Sequence, residues 1–174
     1  MGPLALGPWL EGAGRQCGGM SIEETIRSLI AEFRAVGDWE TRYKMILARA
    51  RKLAPMPEAL KTESNQVRGC ASMVWIHASC SDGVVTYTAD SDALLVRGLV
   101  ALILEVYSGH PASEILRSPP TFIEELGLKV NLSPNRANGL TAMVRQIMIY
   151  ALAFNAQAGG PAAGAGGRAP PAAP

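Results

Sequence analysis

Residues 73–88, MVWIHASCSDGVVTYT, decide the predicted fold, because this segment has the side-chain types of a β-hairpin. Its two ends, 73–77 and 84–88, are rich in β-branched and aromatic residues, which favour extended strands. Between them lies Ser81-Asp82-Gly83, where the glycine can supply the positive φ that a tight turn requires. The segment therefore predicts two antiparallel strands joined by a short turn.

Two amphipathic helices are predicted before the hairpin. Ser21 and Glu24 have the spacing of a capping box, in which each side chain reaches the other residue's backbone amide. Asp38 can cap a second helix, which Pro55 stops. The polar segment 58–69 has no helical or strand period, and it is predicted to be a loop.

A strongly apolar helix follows the hairpin and is predicted to form the centre of the core. Residues 94–106 carry apolar side chains on more than one face, which is typical of a well-buried helix. Ser91 or Asp92 is expected to cap this helix, and Gly109 to end it. Helices on both sides of one hairpin predict an α+β fold, with a small antiparallel sheet packed against several α-helices.

Three further helices are predicted in the last third of the chain. A short one covers residues 112–117, and another opens with a capping box formed by Thr121 and Glu124 and ends at Gly127. The last begins at Pro134, because proline is favoured at the first helical position.

The composition sets the class of protein and its boundaries. The 174 residues carry 16 basic and 15 acidic side chains, and this balance gives no reason to expect a nucleic-acid or anionic-membrane partner. No stretch approaches about 18 consecutive apolar residues, which excludes a transmembrane helix. Segment 1–19, with Cys17, is predicted to be a flexible leader, and the Ala/Gly/Pro-rich segment 155–174 a disordered tail. A single domain, residues 20–154, lies between them.

Cys70 is the candidate reactive residue. The sequence has no glycine-rich phosphate loop, no GxSxG nucleophile elbow and no HExxH zinc motif. Gly69 permits an unusual backbone turn that would hold Cys70 at a loop tip. Arg68 lies two residues before the thiol, where a cation would favour the nucleophilic thiolate. The alternative is that Cys70 is a small buried hydrophobic side chain, since free cysteines are often buried.

Three ordered motifs resemble those of the SufE family of sulfur acceptors. They are VRGCASMVW at 67–75, DSDA at 90–93 and LSPNRANGL at 132–140, and the resemblance covers roughly residues 21–150. The sequence departs from the family pattern at Asn135, where serine is common. Family members work with cysteine desulfurases in iron–sulfur cluster assembly, and they share an α+β fold with scaffold proteins of the IscU type.

The resemblance implies a role for each matching residue. Cys70 would accept persulfide sulfur from a SufS-type cysteine desulfurase, which is a pyridoxal phosphate enzyme, and pass it to a downstream iron–sulfur scaffold complex. Such a protein stimulates the desulfurase and acts as a sulfur carrier rather than as a stand-alone enzyme. It needs no resident cofactor or metal, only a transient persulfide. The positions expected to support the loop or to contact the partner are Arg68, Gly69, Ser72, Asp92 and Arg136.

Sulfur transfer by exchange between thiolates needs a mobile and sheltered cysteine. The thiol requires a modestly lowered pKa, and its persulfide requires protection from water and reductant. An apolar wall formed by Val74, Trp75 and the third helix is expected to shelter Cys70, and the loop is expected to swing out when the partner docks. A cytoplasmic location is expected, although segment 1–19 is also compatible with an organellar leader.

Other interpretations stay open. Asp92 can be a helix cap rather than a residue that tunes the loop. A zinc or iron–sulfur scaffold of the IscU type would have to draw its ligands from Cys70, Cys80, His77 and Asp92. A non-catalytic adaptor would activate a desulfurase by binding alone. A regulatory disulfide between Cys70 and Cys80 would require the loop to fold back.

Overall fold

The computed structural model describes residues 19–158 and has the predicted α+β architecture, with α-helices around a three-stranded antiparallel sheet. The predicted leader up to residue 18, with Cys17, and residues 159–174 lie outside the described part. In chain order the elements are α1 (Ile22–Arg34), α2 (Trp39–Lys52), β1 (Val74–Ser81), β2 (Val84–Ser91), α3 (Leu94–Tyr107), β3 (His110–Pro111), α4 (Ala112–Arg117), α5 (Phe122–Glu125), α6 (Leu128–Asn131) and α7 (Pro134–Ala158). No helix in this range is both long enough and apolar enough to span a membrane.

The predicted hairpin is confirmed. β1 and β2 pair from Val74 opposite Ser91 to Ser81 opposite Val84. Asp82 and Gly83 both have positive φ, 52° and 79°, as a two-residue turn between twisted strands requires. The two-residue strand β3 pairs with the start of β2, and it is too short to leave a pattern in the sequence.

α3 lies at the centre of the core, as its apolar pattern predicted, with most of its side chains buried. It packs closely against α2 through Gly98. A Cβ at Gly98 would lie 2.7 Å from the Cγ2 of Ile46 and would also clash with the carbonyl of that residue. The glycine therefore permits a helix approach that any larger residue would obstruct.

Two buried tyrosines tie α7 to the sheet. The Tyr87 hydroxyl donates to the carbonyl of Ile147 at 3.0 Å, and the Tyr150 hydroxyl donates to the carbonyl of Ile76 at 3.1 Å. Burial raises the pKa of both hydroxyls, so they remain protonated donors. These bonds hold α7 at a fixed distance from the sheet. They therefore also help to position the N-terminal half of the helix.

The predicted N-termini of α1, α2 and α7 are confirmed, but two other predicted caps are wrong. Ala93, not Ser91 or Asp92, is the N-cap of α3, and it makes no side-chain cap bond. No capping box forms at Thr121, because the Thr121 backbone is itself helical rather than extended, and the Glu124 carboxylate pairs with Lys129 at 2.7 Å.

The last two helices also differ from the prediction. α6 was not predicted, because four residues are too few to show a helical period. α7 continues to Ala158, so residues 155–158 extend the helix beyond the predicted boundary at 154. Their alanine and glutamine side chains favour helix once a long helix already runs into them.

Candidate functional site

Cys70 lies in a loop with a fixed base. We call residues 68–73 the cysteine loop, since they lie outside any helix or strand. The amide of Val67 donates to the carbonyl of Val74 at 2.8 Å, and Gln66 forms an isolated bridge with Trp75. The loop therefore leaves and returns at one closed point, so its tip can move without breaking the sheet.

The tip of the loop rests on α7. Gly69 has a φ of +87°, which confirms the predicted need for glycine. The half-buried Cys70 thiol donates a long hydrogen bond to the carbonyl of Gly139, with 3.5 Å between Sγ and oxygen. A Cβ at Gly139 would lie only 3.4 Å from that Sγ. The absence of a side chain at Gly139 therefore lets the Cys70 thiol pack directly against α7.

The prediction that Arg68 lowers the pKa of Cys70 is wrong for this loop position. Burial raises the pKa of the Cys70 thiol, because the thiolate would lose hydration there. The Arg68 side chain is 70% exposed and points to Glu63, with 3.7 Å between nitrogen and oxygen. The resting thiol is consequently protonated near neutral pH and is a poor nucleophile.

A small cavity of about 20 Å³ adjoins the Cys70 thiol. Its apolar wall consists of Val96 and Leu99 from α3 and Met143 from α7. This volume is roughly that of one water-sized atom. The third helix was correctly expected to form a wall, but Val74 and Trp75 do not line the cavity, and α7 takes their place.

Polar residues surround the same cavity. Ser72, Asn135 and Arg136 line it, and Arg136 is exposed in the first turn of α7. The structure therefore brings Cys70, Ser72 and Arg136 together, although Arg136 is 66 positions along the chain from the cysteine. Arg136 has no ion pair among residues 19–158.

Asp92 holds the far end of the cysteine loop. Its carboxylate accepts a hydrogen bond from the amide of Met73 at 3.0 Å, and its own amide donates to the Met73 carbonyl at 3.3 Å. The Ser91 hydroxyl donates to that same carbonyl at 2.8 Å. Of the two interpretations left open for Asp92, the structure supports loop positioning and rejects the helix cap.

A buried charge cluster lies behind this anchor. Asp90 is only 5% exposed, and its carboxylate lies 3.3 Å from Arg97 and 3.1 Å from Lys61. Lys61 also lies over the ring of Trp75, 5.8 Å from its centroid. A carboxylate so buried is tolerated because two cations and the Ser91 amide satisfy it, so the cluster fixes the strand end that carries Asp92.

The ligands that a metal scaffold would need do not assemble. Cys80 lies six residues beyond Val74 on β1, about 20 Å along the strand and away from the cysteine loop. Both Cys70 and Cys80 are free, and the hypothesised disulfide is not formed. No three His, Cys, Asp or Glu side chains within residues 19–158 are grouped as metal ligands.

Sequence reasoning missed Gly139 and Asp90 as site residues. A glycine inside a helix costs about 1 kcal/mol relative to alanine, so Gly139 carried a signal that something approaches the helix closely. Asp90 carried no such signal, because only the fold shows that it is buried.

Comparison with known proteins gives the family context of this site. The family model described as SufE, Fe-S metabolism associated domain, matches residues 27–151. An uncharacterized SufE-like protein of Synechocystis sp. is 40% identical over 134 residues, which cover 77% of this chain and 84% of the relative. The sulfur acceptor protein CsdE of Escherichia coli is 31% identical over 138 residues, covering 78% of this chain and 92% of CsdE.

A solved structure supports the fold. The solution structure of a hypothetical protein from Thermus thermophilus aligns with a TM-score of 0.65 at 23% identity, covering 76% of this chain and 96% of that protein.

SufE-like protein 1 of Arabidopsis thaliana, named as chloroplastic/mitochondrial, is 38% identical over 128 residues, which are 73% of this chain and 34% of the plant protein.

Proposed function

Because the chain belongs to the SufE family of sulfur acceptors in iron–sulfur metabolism, we propose that Cys70 receives sulfur from the persulfide of a cysteine desulfurase. The observation that carries the proposal is a half-buried thiol on a loop whose two ends are bonded together, beside a cavity with room for about one more atom. A SufS-type desulfurase is the partner we expect, and a scaffold complex is the expected recipient.

The transfer step needs no added oxidant or reductant. The Cys70 thiolate attacks the outer sulfur of the desulfurase persulfide, so a new sulfur–sulfur bond forms at Cys70. The sulfur–sulfur bond in the desulfurase breaks, and its cysteine leaves as a thiolate. The proton released from Cys70 balances the one that this thiolate takes up.

Loop movement switches the thiol between a resting and a reactive state. On α7, burial raises the pKa of Cys70 and suppresses the thiolate. When the loop swings out, the thiol regains hydration, and its pKa returns to the ordinary value of about 8.5. About one-tenth of an ordinary thiol is ionised at pH 7.5, which is enough for exchange when the partner persulfide is in contact.

The cavity gives the product a protected position. The outer sulfur of a Cys70 persulfide would stand about 2 Å beyond Sγ. With the loop back on α7, the wall formed by Val96, Leu99 and Met143 would shield this atom from water and reductant. A sulfur carrier needs such shelter between loading and delivery.

Mass spectrometry after incubation with a SufS-type desulfurase and L-cysteine tests the proposal. We expect a mass increase of about 32 Da, for one sulfur atom, that maps to Cys70. Cys70→Ser should abolish the increase, whereas the matched control Cys80→Ser should retain it. Sulfur loading of Cys70→Ser at the wild-type rate would contradict the proposal.

Two alternatives predict other results in the same experiment. If the protein were an adaptor, the Cys70→Ser variant would stimulate the desulfurase as well as wild type does. A metal scaffold would copurify with zinc or iron, and Cys70→Ser would lower the metal content. The cytoplasmic location stays a prediction, to be checked by localising the full chain.

A further inference from the structure

A second concave surface lies beside the cysteine loop and has no role in the sulfur-transfer step. It is a cleft of about 340 Å³ between residues 66–69 and the part of α7 from 138 to 149. Successive residues of a helix point about 100° apart. α7 therefore presents Gly139 and Met143 to the thiol, and it presents an adjacent face with Arg145 to the cleft.

Each side of the cleft carries an exposed arginine. Arg68 belongs to the loop side, and the only carboxylate within 4 Å of it in the described chain is Glu63, at 3.7 Å. Arg145 belongs to the α7 side and has no ion pair within residues 19–158. No acidic side chain from residues 19–158 lines the cleft.

The rest of the lining also offers hydrogen-bond donors. Side-chain amide groups come from Gln66, Asn138 and Gln146, whereas the Thr141 hydroxyl already donates to the carbonyl of Ala137 at 3.1 Å. Two guanidinium groups and nearby side-chain amides call for a ligand that is negatively charged and accepts several hydrogen bonds. A carboxylate has both properties.

We propose that this cleft receives an aspartate or glutamate side chain from a surface segment of the cysteine desulfurase. The inference rests on the proposed function, which requires that partner to dock at the cysteine loop. A carboxylate between Arg68 and Arg145 would contact both the loop and α7, so docking would bear directly on the loop that carries Cys70.

Both arginines lie close enough to Cys70 to fall within an interface of ordinary size. A standard interface buries about 800 Å² on each protein, which corresponds to a patch of roughly 16 Å radius. Arg145 is six residues beyond Gly139, so it lies about 9 Å along the helix from the point where Cys70 contacts α7. Arg68 is two residues from the thiol. A patch of this radius centred on Cys70 would therefore include the cleft.

Charge reversal tests the proposal. Arg145→Glu and Arg68→Glu would each be titrated calorimetrically against a SufS-type desulfurase at about 50 mM and 300 mM NaCl. We expect the dissociation constant at low salt to rise at least about tenfold for each variant, and less at high salt, because salt screens charge pairs. Arg145→Lys should retain most of the affinity. Arg27→Glu is the matched control, since Arg27 is exposed on α1 and lines neither the cleft nor the cavity.

The outcomes separate this inference from the proposed function. Circular dichroism should match wild type in both variants, and the alkylation rate of Cys70 should match wild type in Arg145→Glu, which shows that the loop and fold are intact. Affinities within twofold of the Arg27→Glu control would overturn the proposal. So would binding of free L-alanine or L-cysteine that both reversals abolish without a change in desulfurase affinity. If the reversals weaken docking but Cys70 never gains sulfur, the docking cleft stands and the proposed function fails.

Discussion

Replacing Gly139 by alanine tests whether the cavity beside Cys70 shelters the transferred sulfur. In the resting protein the new Cβ would lie 3.4 Å from the Sγ and 3.7 Å from the Cα of Cys70, which are contacts that small shifts relieve. Alanine is also favoured over glycine inside a helix by about 1 kcal/mol. We therefore expect Gly139→Ala to fold, with a melting temperature equal to or above that of wild type.

The persulfide form should respond differently. The cavity holds about 20 Å³, and the added methyl group would occupy space that the outer sulfur needs. Forcing an extra atom into a packed site costs about 1–3 kcal/mol. That cost favours the loop-out state by about 5- to 150-fold, so the persulfide should be reduced correspondingly faster.

The assay follows the loss of the sulfur adduct by intact mass after desulfurase and cysteine are removed and dithiothreitol is added. Gly139→Ala should lose the adduct at least about fivefold faster than wild type. Asn155→Ala, at an exposed position near the end of α7, controls for helix propensity. Adding Val96→Ala should restore part of the lifetime, because it enlarges the cavity. A wild-type lifetime in well-folded Gly139→Ala would refute the shelter argument.

Two substitutions and one pH titration test individual features of the loop and the core. Asp92→Ala removes the acceptor of the Met73 amide, a hydrogen bond of about 1 kcal/mol. Alkylation of Cys70 by iodoacetamide, mapped by mass spectrometry, should therefore become about fivefold faster. An unchanged rate would show that the carboxylate does not restrain the loop. Burial favours the protonated Cys70 thiol, so its alkylation rate should keep rising above about pH 8.5, where an ordinary thiol is half ionised; a plateau below that pH would contradict the raised pKa. Gly98→Ala should lower the free energy of unfolding, measured by urea titration, by about 1–3 kcal/mol, because the added Cβ would clash with Ile46. An unchanged free energy of unfolding would mean that α2 and α3 can move apart freely.

The features that sequence predicted well depend on local patterns. The hairpin followed from two β-rich runs around Asp82-Gly83, and the loop position of Cys70 followed from Gly69 and the strand beside it. The start of α7 followed from the preference of proline for the first helical position. In each case the residues that determine the structure are neighbours along the chain.

The features that sequence missed depend on competition between distant partners. Ser91 and Asp92 have the chemistry of helix caps, but the Asp92 carboxylate accepts from the Met73 amide, and the Ser91 hydroxyl donates to the Met73 carbonyl while it accepts a longer bond from the Ala93 amide. Likewise, Arg68 is near Cys70 in sequence, yet the burial of the thiol against α7 determines the direction of its pKa shift. Neither outcome can be predicted before the packing of β1, α3 and α7 is known.

The closed base of the cysteine loop limits how far the reactive atom can travel. Cys70 is three residues from Val67, whose amide is bonded to Val74, and a fully extended chain advances at most about 3.6 Å per residue. With that bond intact, the Cα of Cys70 stays within about 11 Å of the Cα of Val67. Under the proposed sulfur transfer, a donor would have to bring its persulfide within this short range, so a donor with a deep, narrow active site would have to open before delivery.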